Sequence, residues 1–197
     1  MNISKCDLAA LRSDVRRTGF ASAENLIDVA LLKSLREEAS TQRGNARRVY
    51  DDGVVSYKGY LADLGKVARA FLTGRPFTRF LRLIFDQSFA LTESSSCYTY
   101  YEAGDFLSAH RDGANDCEVT VLVYLDASSP NPDASDTGLM LQIYEDHAGK
   151  PASLRHVIKT RSGSVVAGRG SREWHGRPPL LDGERVALLT ACFSSTD

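Results

Sequence analysis

The sequence predicts one α+β domain with a mainly β core, and the main reason is a change in the pattern of apolar residues near residue 88. Residues 1–87 carry apolar side chains at helical spacing, whereas residues 88–197 form short runs rich in Val, Tyr, Thr and Leu, separated by turn signals. The 197 residues, of which 43% are hydrophobic, suffice for one hydrophobic core. We therefore expect a single domain over 1–197, with a helical N-terminal layer and a β core.

Helical spacing of apolar residues marks the N-terminal layer. The stripe of the second helix is formed by Leu31, Leu32, Leu35 and Ala39, and its opposite face is charged. The polar, Gly-punctuated segment 44–58 is predicted to be a loop. The predicted helices are Ser4–Arg17, a helix entered at Asn25–Asp28, Leu61–Leu72 and Phe77–Phe85.

The second half of the chain has the signature of a sandwich or barrel, because its predicted strands are short, regularly spaced and separated by turn residues. These strands are Ser94–Tyr101, Glu118–Leu125, Leu139–Tyr144, Ser164–Ala167 and Arg185–Phe193. We expect the helices to pack on this β core. The Leu-rich helix faces are interpreted as core packing, and they do not indicate an oligomeric state.

Composition argues against several classes of protein. The formal net charge is −1 and no basic face is apparent, which disfavours a nucleic-acid partner. No apolar run approaches the roughly 18 residues of a membrane span. The charged N-terminus lacks the apolar centre of a signal peptide, so a cytoplasmic protein is expected.

The four cysteines do not form a metal-binding or redox motif. Cys6, Cys97, Cys117 and Cys192 are far apart and make no C-x-x-C pair. Each is interpreted as a small buried or half-buried residue, and disulfides are neither required nor excluded.

A two-histidine, one-carboxylate set carries the chemistry. In a strand, alternate side chains point the same way, so His110 and Asp112 can direct an imidazole and a carboxylate to one point. His175 would complete the set. This arrangement leaves three positions open on the metal and is used by non-haem iron(II) oxygenases.

Arg185 begins an apolar strand ten residues after His175. A guanidinium buried there would seek a planar anion, and a carboxylate matches its fork. We therefore predict that Arg185 binds the distal carboxylate of an oxoacid whose other end is on the metal.

From about Thr92 to Ser194 the chain resembles the 2-oxoglutarate/iron(II) dioxygenase superfamily, nearest its prolyl 4-hydroxylase-like branch. The resemblance implies a double-stranded β-helix, or jelly roll, with the metal inside its mouth. The motifs that carry it are Tyr101-x-x-Gly104, His110-x-Asp112, Thr120–Asp126, Gly138–Ile143, Trp174-His-Gly-x-Pro178 and Gly183-Glu-Arg185.

Carried over by residue, the resemblance implies Fe(II) held by His110, Asp112 and His175, with 2-oxoglutarate and O2 as co-substrates. Arg185 would bind 2-oxoglutarate, and its pocket would also contain Tyr101, Tyr124 and Leu141. The carboxylate at Asp112 indicates a hydroxylase, because related halogenases have a small residue at that position.

The expected reaction is hydroxylation of an unactivated C–H bond of a small molecule, such as an amino acid or a natural-product intermediate, with release of succinate and CO2. Polar residues near the second histidine motif are candidates for gripping the substrate, namely Arg111, Arg169, Arg172 and Glu173. Three alternatives stay open: a protein-residue hydroxylase of the prolyl type, a non-catalytic jelly-roll sensing or binding module, and a cupin-type metal enzyme that uses no oxoacid.

Overall fold

The computed structural model describes residues 1–3, 7–51, 53, 55–131 and 137–196. Within these residues the chain forms four α-helices and eleven antiparallel β-strands. The helices are α1 (Leu8–Thr18), α2 (Val29–Arg43), α3 (Lys66–Thr73) and α4 (Arg75–Phe85). The strands are β1 (Phe20–Ala23), β2 (Arg47–Val49), β3 (Tyr57–Asp63), β4 (Phe89–Tyr101), β5 (Phe106–His110), β6 (Val119–Ser128), β7 (Met140–His147), β8 (Lys150–Lys159), β9 (Val165–Gly168), β10 (Trp174–Arg177) and β11 (Arg185–Ser195).

The strands follow one path of hydrogen-bonded neighbours, in the order β1-β9-β6-β11-β4-β3-β5-β10-β7-β8, with β2 added beside β3. The path turns at β3, which pairs with β4 through Tyr60–Asp63 and with β5 through Tyr57 and Lys58. We call the part from β1 to β3 the major sheet and the part from β5 to β8 the minor sheet. The predicted mainly β core with packed helices is confirmed, and its strand arrangement is a jelly roll.

The strands of the major sheet separate two hydrophobic clusters. Because successive side chains of a strand point to opposite faces, Leu189 and Phe193 of β11 join the cluster under the helices, whereas Val186 and Leu188 join the cluster between the two sheets. The larger cluster holds α2, α3 and α4 against the sheet. The smaller one lies between the two sheets and supplies apolar walls to the pocket described below.

Two predictions about the segment before α3 are wrong. Residues 44–58, predicted as a loop, contain β2 and the start of β3, and the helix predicted over Leu61–Leu72 begins only at Lys66. Pairing with β4 overrides local helical preference here. Gly59 suits this pairing, since an added Cβ would lie 3.2 Å from the Tyr100 carbonyl oxygen.

Besides β2 and β3, the strands β1, β5, β8 and β10 were not predicted from the sequence. The predicted start of the first helix at Ser4 and the residue Cys6 lie outside the described residues. Asp7 caps α1 by accepting a hydrogen bond from the Ala10 amide at 2.9 Å. Among the described residues, no helix has both the length and the apolar character to cross a bilayer.

Cys117 and Cys192 form a disulfide that the sequence did not require, and Cys97 is free. The disulfide joins the turn before β6 to β11, which is the strand that pairs with β6. Cross-linking residues 75 positions apart restricts the unfolded chain. The disulfide therefore fastens the segment that follows Asp112.

Glu38 of α2 ties three elements together. Its carboxylate accepts hydrogen bonds from the Val67 and Ala68 amides at 2.7 and 2.9 Å, and from the Tyr98 hydroxyl at 2.7 Å. Gly65 precedes α3 and has no side chain with which to cap it, so a carboxylate from α2 satisfies the first amides of the helix. This contact fixes α3 over the major sheet.

We predict that Glu38→Ala lowers the free energy of unfolding by about 2–4 kcal/mol, because it removes a helix cap and leaves the buried Tyr98 hydroxyl unpaired. Urea denaturation followed by circular dichroism measures the effect. The matched control is Glu37→Ala, since the Glu37 side chain is exposed and, among the described residues, forms an ion pair with Lys33 alone, at 3.8 Å. Equal losses in the two variants would contradict this role for Glu38.

Candidate metal centre

The antiparallel pairing of β5 with β10 builds the centre. His110 at the end of β5 lies directly opposite His175 of β10, and their ring centroids are 4.4 Å apart. Asp112 follows β5 at once, and its backbone amide donates to the Gly170 carbonyl at 3.1 Å. The structure thus brings the three predicted ligands together, with one ligand atom of each lying within 4.8 Å of the others.

Both imidazoles present Nε2 to this point. Nδ1 of His110 lies 3.0 Å from the Ser108 carbonyl, and Nδ1 of His175 lies 2.9 Å from the Glu173 carbonyl. A carbonyl can only accept, so each Nδ1 donates and the neutral ring keeps its lone pair on Nε2. The Nε2 atoms lie 3.2 Å and 3.7 Å from the Asp112 oxygens.

Asp112 is held from behind by Thr120 of β6, whose hydroxyl donates to Oδ2 of the carboxylate. Gly170 makes room for this contact. A Cβ at that position would lie 2.0 Å from Asp112 Oδ2 and 2.1 Å from Thr120 Oγ1. The absence of a side chain at Gly170 therefore allows the carboxylate to reach the two histidines.

The electrostatics of the three groups suit metal binding. Burial alone raises the pKa of Asp112, but the His110 hydrogen bond and the neighbouring imidazoles outweigh it, so its pKa lies below the usual value. Burial lowers the pKa of His175. For His110, burial lowers the pKa but Asp112 outweighs it, and the net shift is upward. At neutral pH this gives an ionised carboxylate beside a neutral His175, whereas a cation competes with a proton for Nε2 of His110.

The three ligands line a cavity of about 440 Å³ between the two sheets, which we call the metal pocket. The disulfide Cys117–Cys192 and the free thiol of Cys97 also face it. Burial raises the pKa of Cys97. Further walls come from the strands, with Tyr57, Leu61, Ser95, Thr99, Tyr101, Leu107, Leu122, Leu141, Leu188 and Thr190.

Arg177 is a buried charged residue of the metal pocket that was not predicted from the sequence. It lies on β10 two residues after His175, lines the metal pocket and is only 4% exposed. Its guanidinium donates to the Tyr124 hydroxyl at 2.9 Å, the Thr160 hydroxyl at 3.3 Å and the Gly138 carbonyl at 3.3 Å. All three partners are neutral. Within the described part of the chain, no carboxylate lies within 4.0 Å of Arg177.

Arg185 is not in the metal pocket, which contradicts its predicted role. Its side chain is 69% exposed, and its Nε donates to Asp126 at 3.1 Å. Side chains alternate along β11, and Val186 is the residue that points between the sheets. Arg185 instead lies on the opposite face, beside α2.

The other predicted co-substrate residues are placed near Arg177. Tyr101 and Leu141 line the metal pocket, and the Tyr124 hydroxyl accepts the hydrogen bond from Arg177. Burial raises the pKa of Tyr101, so its hydroxyl stays protonated. A signal for Arg177 existed in the sequence, since a residue two positions after a ligand on a strand shares its face.

The four predicted substrate residues do not line the metal pocket. Arg169 and Arg172 lie 3.5 and 3.7 Å from Glu118, so both face that carboxylate. Arg111 pairs with Asp146 and Glu173 with Arg155. These charges form ion pairs outside the pocket, so the structure does not support their assignment to substrate.

We predict that Thr120→Val weakens divalent metal binding by about tenfold or more, because the residue behind a metal-binding carboxylate fixes its orientation. Calorimetric titration of the metal-free protein with Mn²⁺ measures this. Thr99→Val is the matched control, since Thr99 lines the same pocket but bonds Thr190 at 2.9 Å and touches none of the three ligands. Unchanged affinity in Thr120→Val would refute the positioning role.

Comparisons with known proteins identify the fold. No family model and no curated protein sequence matches the chain, but solved structures do. A prolyl-4-hydroxylase from Pseudomonas putida matches with a TM-score of 0.66 and 16% identity, over 96% of this chain and 100% of that one. HygX from Streptomyces hygroscopicus, with nickel, 2-oxoglutarate and hygromycin B bound, matches with 0.69 and 16%, over 95% and 87%.

A third similar structure is SnoN, described as a non-haem α-ketoglutarate-dependent epimerase from nogalamycin biosynthesis. It matches with a TM-score of 0.72 and 13% identity, over 95% of this chain and 80% of that one. At such identities the likeness extends to the path of the backbone. The chain therefore has the jelly-roll fold of the 2-oxoglutarate/iron(II) oxygenases.

Proposed function

We propose that this protein is an Fe(II)- and 2-oxoglutarate-dependent oxygenase that hydroxylates a C–H bond of a small molecule. One observation carries the proposal: a two-histidine, one-carboxylate set and a buried arginine without a carboxylate partner among the described residues share one pocket. The first group fits a divalent metal and the second fits an organic anion. A 2-oxoacid with a distal carboxylate satisfies both.

The donor set fits iron(II). Two neutral imidazoles and one carboxylate on a single side leave three coordination positions free for co-substrate and O2. When bound, iron with 2-oxoglutarate and O2 supplies the oxidising power, with succinate and CO2 as products. His110, Asp112 and His175 would hold the metal, and Thr120 would keep the carboxylate aimed at it.

Arg177 would bind the distal carboxylate of 2-oxoglutarate. Burying a cation costs free energy unless an opposite charge approaches it. His175 and Arg177 lie two residues apart on β10 and line the same pocket, so an oxoacid on the metal would extend toward the guanidinium. The hydroxyls of Tyr124 and Thr160 orient the guanidinium, and Tyr101 and Leu141 would enclose the chain of the co-substrate.

Substrate would enter beside the metal over β4 and β11, where four wall residues are small and polar. Ser95, Cys97, Thr99 and Thr190 offer hydroxyls and a thiol rather than a deep apolar slot. This lining suits a compact molecule rich in hydrogen-bonding groups. The similar structure of HygX contains hygromycin B, and this supports a small-molecule substrate on this fold.

Asp112 favours hydroxylation over halogenation, because its carboxylate lies at the third ligand position where a halogenase would need space for chloride. Thr120 and Gly170 are both arranged around that carboxylate. Hydroxylation is therefore the outcome we propose, on the same fold that also includes a prolyl-4-hydroxylase and an epimerase.

The experiment that tests the metal and co-substrate together is anaerobic visible absorption of the purified protein. Adding Fe(II) and then 2-oxoglutarate should produce a metal-to-ligand charge-transfer band that requires both additions. The band should be lost in His175→Ala. A wild-type protein that binds Fe(II) but gives no band with 2-oxoglutarate would exclude this function and favour an enzyme or binding module that uses no oxoacid.

A second prediction separates the two arginines. Arg177→Gln should raise the Kd for 2-oxoglutarate about 30-fold or more, because it removes the partner of a buried charge pair, an effect of about 2–5 kcal/mol. Arg185→Gln should leave it unchanged, since Arg185 lies outside the metal pocket.

Titrating the charge-transfer band with 2-oxoglutarate gives both dissociation constants. Retained Mn²⁺ binding shows that Arg177→Gln is folded. If Arg185→Gln raised the Kd for 2-oxoglutarate and Arg177→Gln did not, Arg185 would be the residue that binds the co-substrate.

A further inference from the structure

Arg185 belongs to a second cavity, of about 470 Å³, on the face of the major sheet turned toward α2. We call it the outer cavity. One stripe of α2 forms its roof, because Arg36, Ser40 and Arg43 are spaced at i, i+4 and i+7. Its floor is the sheet, with Leu125, Tyr100 and Ala187. The outer cavity thus combines an apolar floor with a charged rim.

The charge of the rim is positive. Three arginines, at positions 36, 43 and 185, face two carboxylates, Glu102 and Asp126, so the formal sum is 3 − 2 = +1. Arg43 uses one terminal nitrogen to pair with Glu102 at 2.7 Å, and its guanidinium stacks 3.9 Å from the Tyr60 ring. Arg185 pairs with Asp126, and Arg36 has no carboxylate partner among the described residues.

Those two guanidiniums are held in the same way. Nε of Arg36 donates to the Leu125 carbonyl at 2.7 Å, and Nε of Arg185 donates to Asp126 at 3.1 Å. In neither case does a terminal nitrogen have a hydrogen-bond partner among the described residues. The hydrogen bond through Nε fixes the plane of each guanidinium and leaves its two terminal nitrogens free. Two such nitrogens can bind a carboxylate or phosphate.

We propose that the outer cavity is a binding site for a small organic anion with an apolar or aromatic body, distinct from the metal pocket. Arg36 and Arg185 bind the anionic group, and Leu125, Tyr100 and Ala187 contact the body. The volume is in the range of small-molecule sites. Tyr101 lines both cavities, so a ligand here lies one side chain from the pocket that contains Arg177.

The test uses the full chain without added metal or 2-oxoglutarate, so its result does not depend on the proposed enzymatic function. The probe is 8-anilinonaphthalene-1-sulfonate, an aromatic anion that fluoresces when bound. We expect one saturable site in the wild type. The Kd should rise about tenfold or more in the double variant Arg36→Gln, Arg185→Gln, because both anion-binding groups are lost.

A second variant avoids changing the charge. Ser40 is exposed on α2 and faces the outer cavity. Ser40→Trp should therefore fill the cavity and raise the Kd of the probe to a similar extent, while the protein stays folded. Two controls should match the wild type: Arg161→Gln, a surface arginine paired with Glu24, and Arg177→Gln in the metal pocket. Loss of probe binding in Arg177→Gln, or unchanged binding in the double variant, would overturn the site.

Competition defines the ligand class. Benzoate should displace the probe, whereas benzamide, a neutral molecule of the same shape, should not, because the arginines select for negative charge. Displacement by both compounds, or by neither, would contradict an anion site. The effect of benzoate should also weaken with added salt, since the rim is exposed to solvent.

Discussion

The pairing of β5 with β10 is the constraint on which the rest of the site depends. It places His110 opposite His175 and sets the point that Asp112 must reach. Close backbone approach is necessary for this pairing, since a Cβ on Gly176 would lie 2.8 Å from the Leu107 carbonyl oxygen. The metal centre is therefore a property of strand register, because a slip by one residue would turn either histidine away.

Strand β10 also connects the three candidate metal ligands to Arg177, the proposed anion-binding residue of the pocket. His175 and Arg177 share one face of this short strand, and both are almost fully buried. A buried guanidinium with neutral partners is unfavourable in the free protein, and a bound carboxylate relieves that cost. The buried charge of Arg177 thus lowers the stability of the free protein and raises its affinity for an anionic ligand. This is a common arrangement at functional sites.

The major sheet serves different purposes on its two faces. One face of β11 supports the helices through Leu189 and Phe193, and Glu38 locks those helices to the sheet through Tyr98. The other face lines the metal pocket. Arg185 and Arg177 illustrate the consequence, because two arginines that are close in sequence serve separate cavities on opposite sides of the sheet.

The mainly β core, the helical layer and the three candidate ligands could be predicted from the amino-acid sequence, because hydrophobic periodicity and the H-x-D spacing are local signals. The choice between Arg185 and Arg177 as the pocket arginine required the folded chain, because a strand that begins with Arg185 does not reveal which face its first residue takes. β3 and the Cys117–Cys192 disulfide likewise depend on partners distant in the chain. Such contacts between distant segments decide which face of a strand becomes a pocket wall, so the alternation that sets Arg177 beside His175 has a meaning only once β10 is paired.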